Sequence, residues 1–64
     1  MGVTPITYLT RYRLKQARAL LEAGQRSITE VALAVGFADS AYFSRVFQRE
    51  VGVSPSAYQR GQRA

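Results

Sequence analysis

The chain has no cysteine, no histidine and no tryptophan, and it is poor in acids, with four Asp and Glu against nine Lys and Arg. Without cysteine there is no disulfide and no thiolate nucleophile. Without histidine there is no imidazole to carry a proton near neutral pH, and nearly all zinc sites are removed as well. The carboxylates, Glu22, Glu30, Asp39 and Glu50, do not fall at a spacing that suggests a shared acid-base site. These absences argue against an enzyme, and neither a metal nor a cofactor is expected. A long apolar run is also missing, so no segment is expected to span a membrane. The opening MGVTPITYLT has neither the basic start nor the uninterrupted apolar stretch of a signal peptide, and the chain reads as cytoplasmic.

What is present is a 64-residue, 47% apolar sequence with a formal net charge of +5. That length supports one small domain whose core barely offsets chain entropy. Every cation except Lys15 is arginine. The excess of positive charge favours polyanionic partners, because neutralising phosphates releases condensed counterions.

Periodicity predicts an all-α chain. Thr4 and Pro5 form a cap-plus-proline start, and a first helix is expected over 5–23, stopped by Gly24. At about 100° per residue, Ile6, Leu9, Ala17, Leu20 and Leu21 share a side, while Arg11, Lys15, Arg18 and Glu22 make a charged stripe. Tyr8 and Tyr12 lie off the apolar stripe as an i, i+4 pair and suggest a second contact surface. Ser27 and Glu30 compose a capping box, after which Ile28, Val31, Ala32 and Val35 repeat at helical spacing. Gly36 ends this short helix, Phe37 folds back as a wedge, and Asp39 caps the next helix, over 40–51. There Tyr42, Phe43, Val46, Phe47 and Val51 face one way and Ser40, Ala41, Ser44, Arg45 and Gln48 the other. Ser54 and Pro55 open a last short helix through Tyr58. Two charges, Arg13 and Glu50, fall on faces otherwise given to the core. Since a lone buried charge is costly, they are expected to pair with each other.

A repeat runs through this pattern: Gly2-Val3-Thr4-Pro5-Ile6-Thr7-Tyr8 returns as Gly52-Val53-Ser54-Pro55-Ser56-Ala57-Tyr58, and Arg13 returns as Arg63. The second copy follows a helix-turn-helix. The inference is that another helix-turn-helix once stood before Gly2, which makes residues 1–26 a linker helix with the remnant of a first unit and residues 27–64 the second unit. Ile6, Tyr8, Leu9 and Tyr12 would then be left exposed, or would mediate weak self-association.

Read together, several groups of residues resemble the C-terminal DNA-binding region of the AraC/XylS family of bacterial transcription regulators. They are Arg13-Leu14 with Ala17 and Leu20-Leu21, Ile28 with Val31-Ala32, and Val35-Gly36-Phe37. Ser40 with Tyr42-Phe43-Ser44-Arg45 and Phe47 follows, then Gly52 with Ser54-Pro55 and Tyr58. The resemblance covers nearly the whole chain. It implies a homeodomain-like helix-turn-helix preceded by a long linker helix, the second of two units that enter neighbouring major-groove segments of a promoter. It also implies that the same region of the intact protein faces RNA polymerase. Compared with the usual spacing, the apolar positions after Gly36 come one residue late, which predicts a turn one residue longer.

On this reading Ser40, Ala41, Ser44 and Arg45 meet base edges of double-stranded DNA, because the N-terminal part of the second helix is the part that reaches them. Arg45 leads, since a guanidinium can bond O6 and N7 of guanine together. Gln48 and Arg49 are assigned to phosphates, as are Ser27, Ile28 and Thr29 at the start of the preceding helix. The alternative function is a helical protein-protein interaction module whose basic face is merely solvated.

Overall fold

Three of the four helices start where a side chain satisfies free N–H groups of the first turn, and most stop where a glycine tolerates positive φ. In the computed structural model, which describes residues 5–61 with side chains from Thr7 onward, the helices are α1 (Pro5–Ala23), α2 (Ile28–Ala34), α3 (Ser40–Val51) and α4 (Pro55–Gln59). No strand occurs among the described residues. The expected Thr4 cap and the side chain of Ile6 lie outside them.

The caps are those the residue types favour. Ser27 Oγ accepts the Glu30 N–H at 3.1 Å, and Glu30 Oε1 accepts the Ser27 N–H at 2.8 Å, closing the capping box. Asp39 Oδ1 accepts the N–H groups of Ala41 and Tyr42 at 2.7 and 3.2 Å. Ser54 Oγ accepts the Ala57 N–H at 3.2 Å, with Pro55 in the first turn. Gly36 takes φ +101°, a backbone state that a Cβ would penalise. There the Phe37 N–H donates to the Ala32 carbonyl at 2.9 Å, which turns the Phe37 ring inward.

The core is one cluster of Leu14, Ala17 and Leu21 from α1, Val31 and Ala32 from α2, Phe37 from the turn, Phe43, Val46 and Phe47 from α3, and Tyr58 from α4. Each large side chain in it contributes about 1.5–3 kcal/mol of burial. Aromatic contacts order the cluster: Phe37 meets Phe43 at 5.2 Å, Phe43 meets Phe47 at 5.6 Å and Phe47 meets Tyr58 at 5.6 Å between centroids. The ladder therefore runs from the turn, along α3, to α4. The Tyr58 hydroxyl donates to Glu22 and the Gln59 amide to the Arg26 carbonyl, which tie α4 back to α1 and its following loop. Glu22 thus belongs to the tertiary structure as well as to the charged stripe.

Three expectations are corrected. The apolar side of α1 is centred on Leu14, Ala17 and Leu21, with Leu20 only half-buried, while Leu9, 44% exposed, lies open with Tyr8 and Tyr12 as the repeat leads one to expect. At about 1.5 Å per residue, the 19-residue α1 outruns the 7-residue α2 and the 12-residue α3, so its early turns have less to pack on. Tyr42 is 54% exposed. Phe43, Val46 and Phe47 fix the buried direction of α3, and Tyr42 falls at its flank, its ring tilted against that of Phe37 with centroids 5.9 Å apart. Finally, Arg13 and Glu50 do not pair. Glu50 bonds its neighbour Arg49 at 3.3 Å, while the Arg13 guanidinium lies 6.0 Å above the Phe37 ring. A half-buried guanidinium is weakly hydrated and can be satisfied by an aromatic face, so no carboxylate is needed.

Candidate nucleic-acid interface

The face of α3 opposite Phe43, Val46 and Phe47 is built of Ala41, Ser44, Arg45 and Gln48. Ala41, Arg45, Gln48 and Arg49 are exposed; Ser40 and Ser44 are half-buried. The Asp39 cap frees the start of α3 from any need for a neighbouring element. Phe37 pins that start from beneath, and Arg13 closes over Phe37 from α1. A Cβ at Gly36 would lie 3.1 Å from Arg13 Nε and 3.2 Å from its Cζ. The bare glycine therefore lets α1 approach the turn and hold it. Two helices joined through Val35 to Asp39 and braced at the joint present α3 as a rigid, one-sided face.

That face carries positive charge. Arg45 has no ion-pair partner among the described residues, and Arg49, one turn later, meets only Glu50. Arg45 and Arg49 are like charges at i, i+4, mildly repulsive in an isolated helix and relieved by a nearby anion. At the start of α2, the exposed Ser27 has its hydroxyl engaged in the capping box, Ile28 is half-buried against the core, and Thr29 is exposed. Of these three only Thr29 presents an uncommitted side chain outward. The structure thus gathers Ala41, Ser44, Arg45, Gln48 and Arg49 on one surface, whereas Ser27, Ile28 and Thr29 open a separate helix.

A family model described as a helix-turn-helix domain matches residues 1–61. Relatives that match over most of the chain include HTH-type transcriptional activators named RhaS. That of Escherichia fergusonii is 48% identical over 63 residues, covering 98% of this chain and 23% of its own length. That of Escherichia coli O139:H28 is 47% identical over 60 residues, covering 94% and 22%. The chain belongs to the AraC-type helix-turn-helix family.

A third relative, the RhaS activator of Salmonella arizonae, is 46% identical over 63 residues, with 98% of this chain and 23% of its own length covered. The AraC-type domain described here thus spans less than a quarter of the length of these regulators. No solved structure is a significant match to the chain.

Sequence reasoning missed Arg13 as a brace of this AraC-type turn. The signal was available in part, since a charge on the buried side of a helix needs some partner. The choice between a carboxylate and an aromatic face depends on the distance from α1 to the turn, which periodicity does not contain. The described helices include none long and apolar enough to cross a membrane.

Proposed function

We propose that this AraC-type domain binds double-stranded promoter DNA by placing α3 in the major groove, with Ala41, Ser44 and Arg45 toward base edges and Gln48 and Arg49 toward phosphates, while the half-buried Ser40, about 140° around the helix from Arg45, stands off that face. The observation that carries the reading is the unpaired, exposed Arg45 on a helix that is capped by Asp39 and braced beneath by Phe37 and Arg13. A guanidinium held on a rigid helix can present both donors of its fork to guanine. Ala41, exposed on the first turn, suits a thymine methyl, and Ser44 suits either a base or a phosphate.

The domain acts as one of two linked readers. Support comes from the repeat: Tyr58, in the second copy, is 6% exposed and packs edge-on against Phe47 of the preceding helix-turn-helix. Its counterpart Tyr8 is 65% exposed, beside Leu9 at 44% and Tyr12 at 51%. Residues 1–26 then serve as the linker to a unit that would cover Tyr8 as Phe47 covers Tyr58, and residues 27–64 form the second unit. In isolated domains the same patch would support weak self-association. In the whole regulator a surface of this domain would also face RNA polymerase, which rests on the family resemblance alone.

The test is selection of bound sequences from randomised duplex DNA, followed by a salt series on the selected duplex with the wild type and Arg45→Ala. One lost bidentate contact should lower discrimination at one base pair by roughly 5- to 150-fold, the equivalent of about 1–3 kcal/mol. Binding should fall steeply with salt. An Arg45→Ala protein that selects the same sequences with the same preference would refute the assignment.

A further inference from the structure

In the packing of the four helices, α1 rests on α2 and α4, and α3 rests on the same two, while α1 and α3 meet only marginally. The space between them is a cleft in two lobes, about 480 and 210 Å³ in volume, which share Arg11 and Glu50. The larger lobe is walled by Arg11, Lys15 and Arg18 of α1 and by Glu50 and Val51 of α3, with Tyr58 of α4 at its base. Arg11, Lys15 and Arg18 are exposed and have no ion-pair partner among the described residues. Spaced i, i+4 and i+7, they repel one another along one flank of the helix. The single carboxylate of the lobe, Glu50, is engaged by Arg49.

The larger lobe adjoins the face assigned to DNA through Arg49, which bonds Glu50 and lines the smaller lobe, and otherwise opens away from that face. Glu50 follows Arg45 by five positions, so at about 100° per residue it points roughly 140° away around α3, near the end of the helix farthest from the Asp39 cap. A duplex seated on Ala41 and Arg45 leaves the lobe open. The cations are strung over about 10 Å of helix and are not enclosed, which suits an extended array of negative charge better than a single small anion. Val51 and Tyr58 add apolar atoms that a phosphodiester chain would not use.

We propose that the cleft between α1 and the C-terminal half of α3 docks an acidic amphipathic helix of a partner protein. The partner's carboxylates would repeat at i, i+4 and i+7 opposite Arg11, Lys15 and Arg18, and its apolar side would meet Val51 and Tyr58. Charge complementarity of this kind selects partners and speeds encounter. The assignment of this lobe to protein rests on the reading of α3 as the DNA-facing helix.

The probe is a capped amphipathic peptide with glutamates at i, i+4 and i+7, titrated by fluorescence anisotropy and by amide shifts into the 64-residue chain, both free and bound to its selected duplex. The peptide should bind in both states and shift Val51 and Tyr58. Combined Arg11→Gln, Lys15→Gln and Arg18→Gln replacement should weaken it by about tenfold or more, and the charge-reversed Glu variants more still. Duplex affinity should fall less than in Arg45→Ala. Circular dichroism melting of each variant checks that it is folded, and the Gln set serves where the Glu set is not. Failure of the peptide to bind, equal affinity for the Gln variant, or capture of the stripe by anionic lipid vesicles in place of the peptide would overturn the proposal. So would a loss of duplex affinity equal to that of Arg45→Ala, which would make the stripe a phosphate contact. Failure of the DNA reading shows separately, as an Arg45→Ala protein with unchanged duplex binding while the peptide still binds the free chain.

Discussion

Replacing Gly36 by alanine tests the joint between the helices most directly. The residue has φ +101°, so any L side chain there is strained by about 1–2 kcal/mol. The added Cβ would stand 3.1 Å from Arg13 Nε and 3.2 Å from its Cζ. Because that guanidinium is already positioned over Phe37, moving it aside sacrifices a further interaction of about 0.5–1 kcal/mol. The sum is about 1.5–3 kcal/mol, and at about 4–8 °C per kcal/mol for a domain of this size the melting temperature should fall by roughly 6–24 °C. Far-UV circular dichroism melts measure this. Gly24→Ala is the internal control: φ is +73° with nothing within 4 Å of the added carbon, so only the strain, about 1 kcal/mol, should appear. In an Arg13→Ala background, Gly36→Ala should cost less than in the wild type, because the guanidinium it displaces is gone. Equal losses at Gly24 and Gly36, or strictly additive losses for Arg13 and Gly36, would refute the argument that Arg13 braces the turn.

Two other substitutions check the rest of the frame. Ser27→Ala removes one half of the capping box and should cost about 1 kcal/mol, with faster amide exchange confined to the start of α2; exchange that rises equally in α4 would contradict a local role. Phe43→Ala empties a fully buried site and should cost about 3–5 kcal/mol, enough to unfold much of the population at room temperature. Its neighbour Tyr42, 54% exposed, should lose under about 1 kcal/mol on the same change, a contrast read from chemical denaturation midpoints.

The helix boundaries were legible because they depend on local chemistry. Ser27, Gly36, Asp39, Gly52 and Ser54 act on backbone groups within a few residues of themselves, and the structure places each of them where its residue type demands. Most of the core was legible too, since Val31, Ala32, Phe43, Val46 and Phe47 follow from the helical period alone. The face of α3 that carries Ala41, Ser44, Arg45 and Gln48 followed as the complement of those positions. Tyr42 and Leu20 were misplaced for a shared reason. A helical wheel says which residues share a side, but the width of the buried sector depends on how much of each helix its neighbours cover.

Sequence alone therefore determined that this is an all-α chain of capped helices with a tight turn at Gly36 and a cationic face on its third helix, because each of these is set by interactions within about one helical turn. Tertiary structure decided what the remaining charges do. It put Arg13 over Phe37 rather than against Glu50, joined Glu22 to Tyr58, and left Arg11, Lys15 and Arg18 along an open cleft. Those outcomes depend on distances between segments far apart in the chain, fixed only when the aromatic ladder sets how α1, α3 and α4 stand to one another.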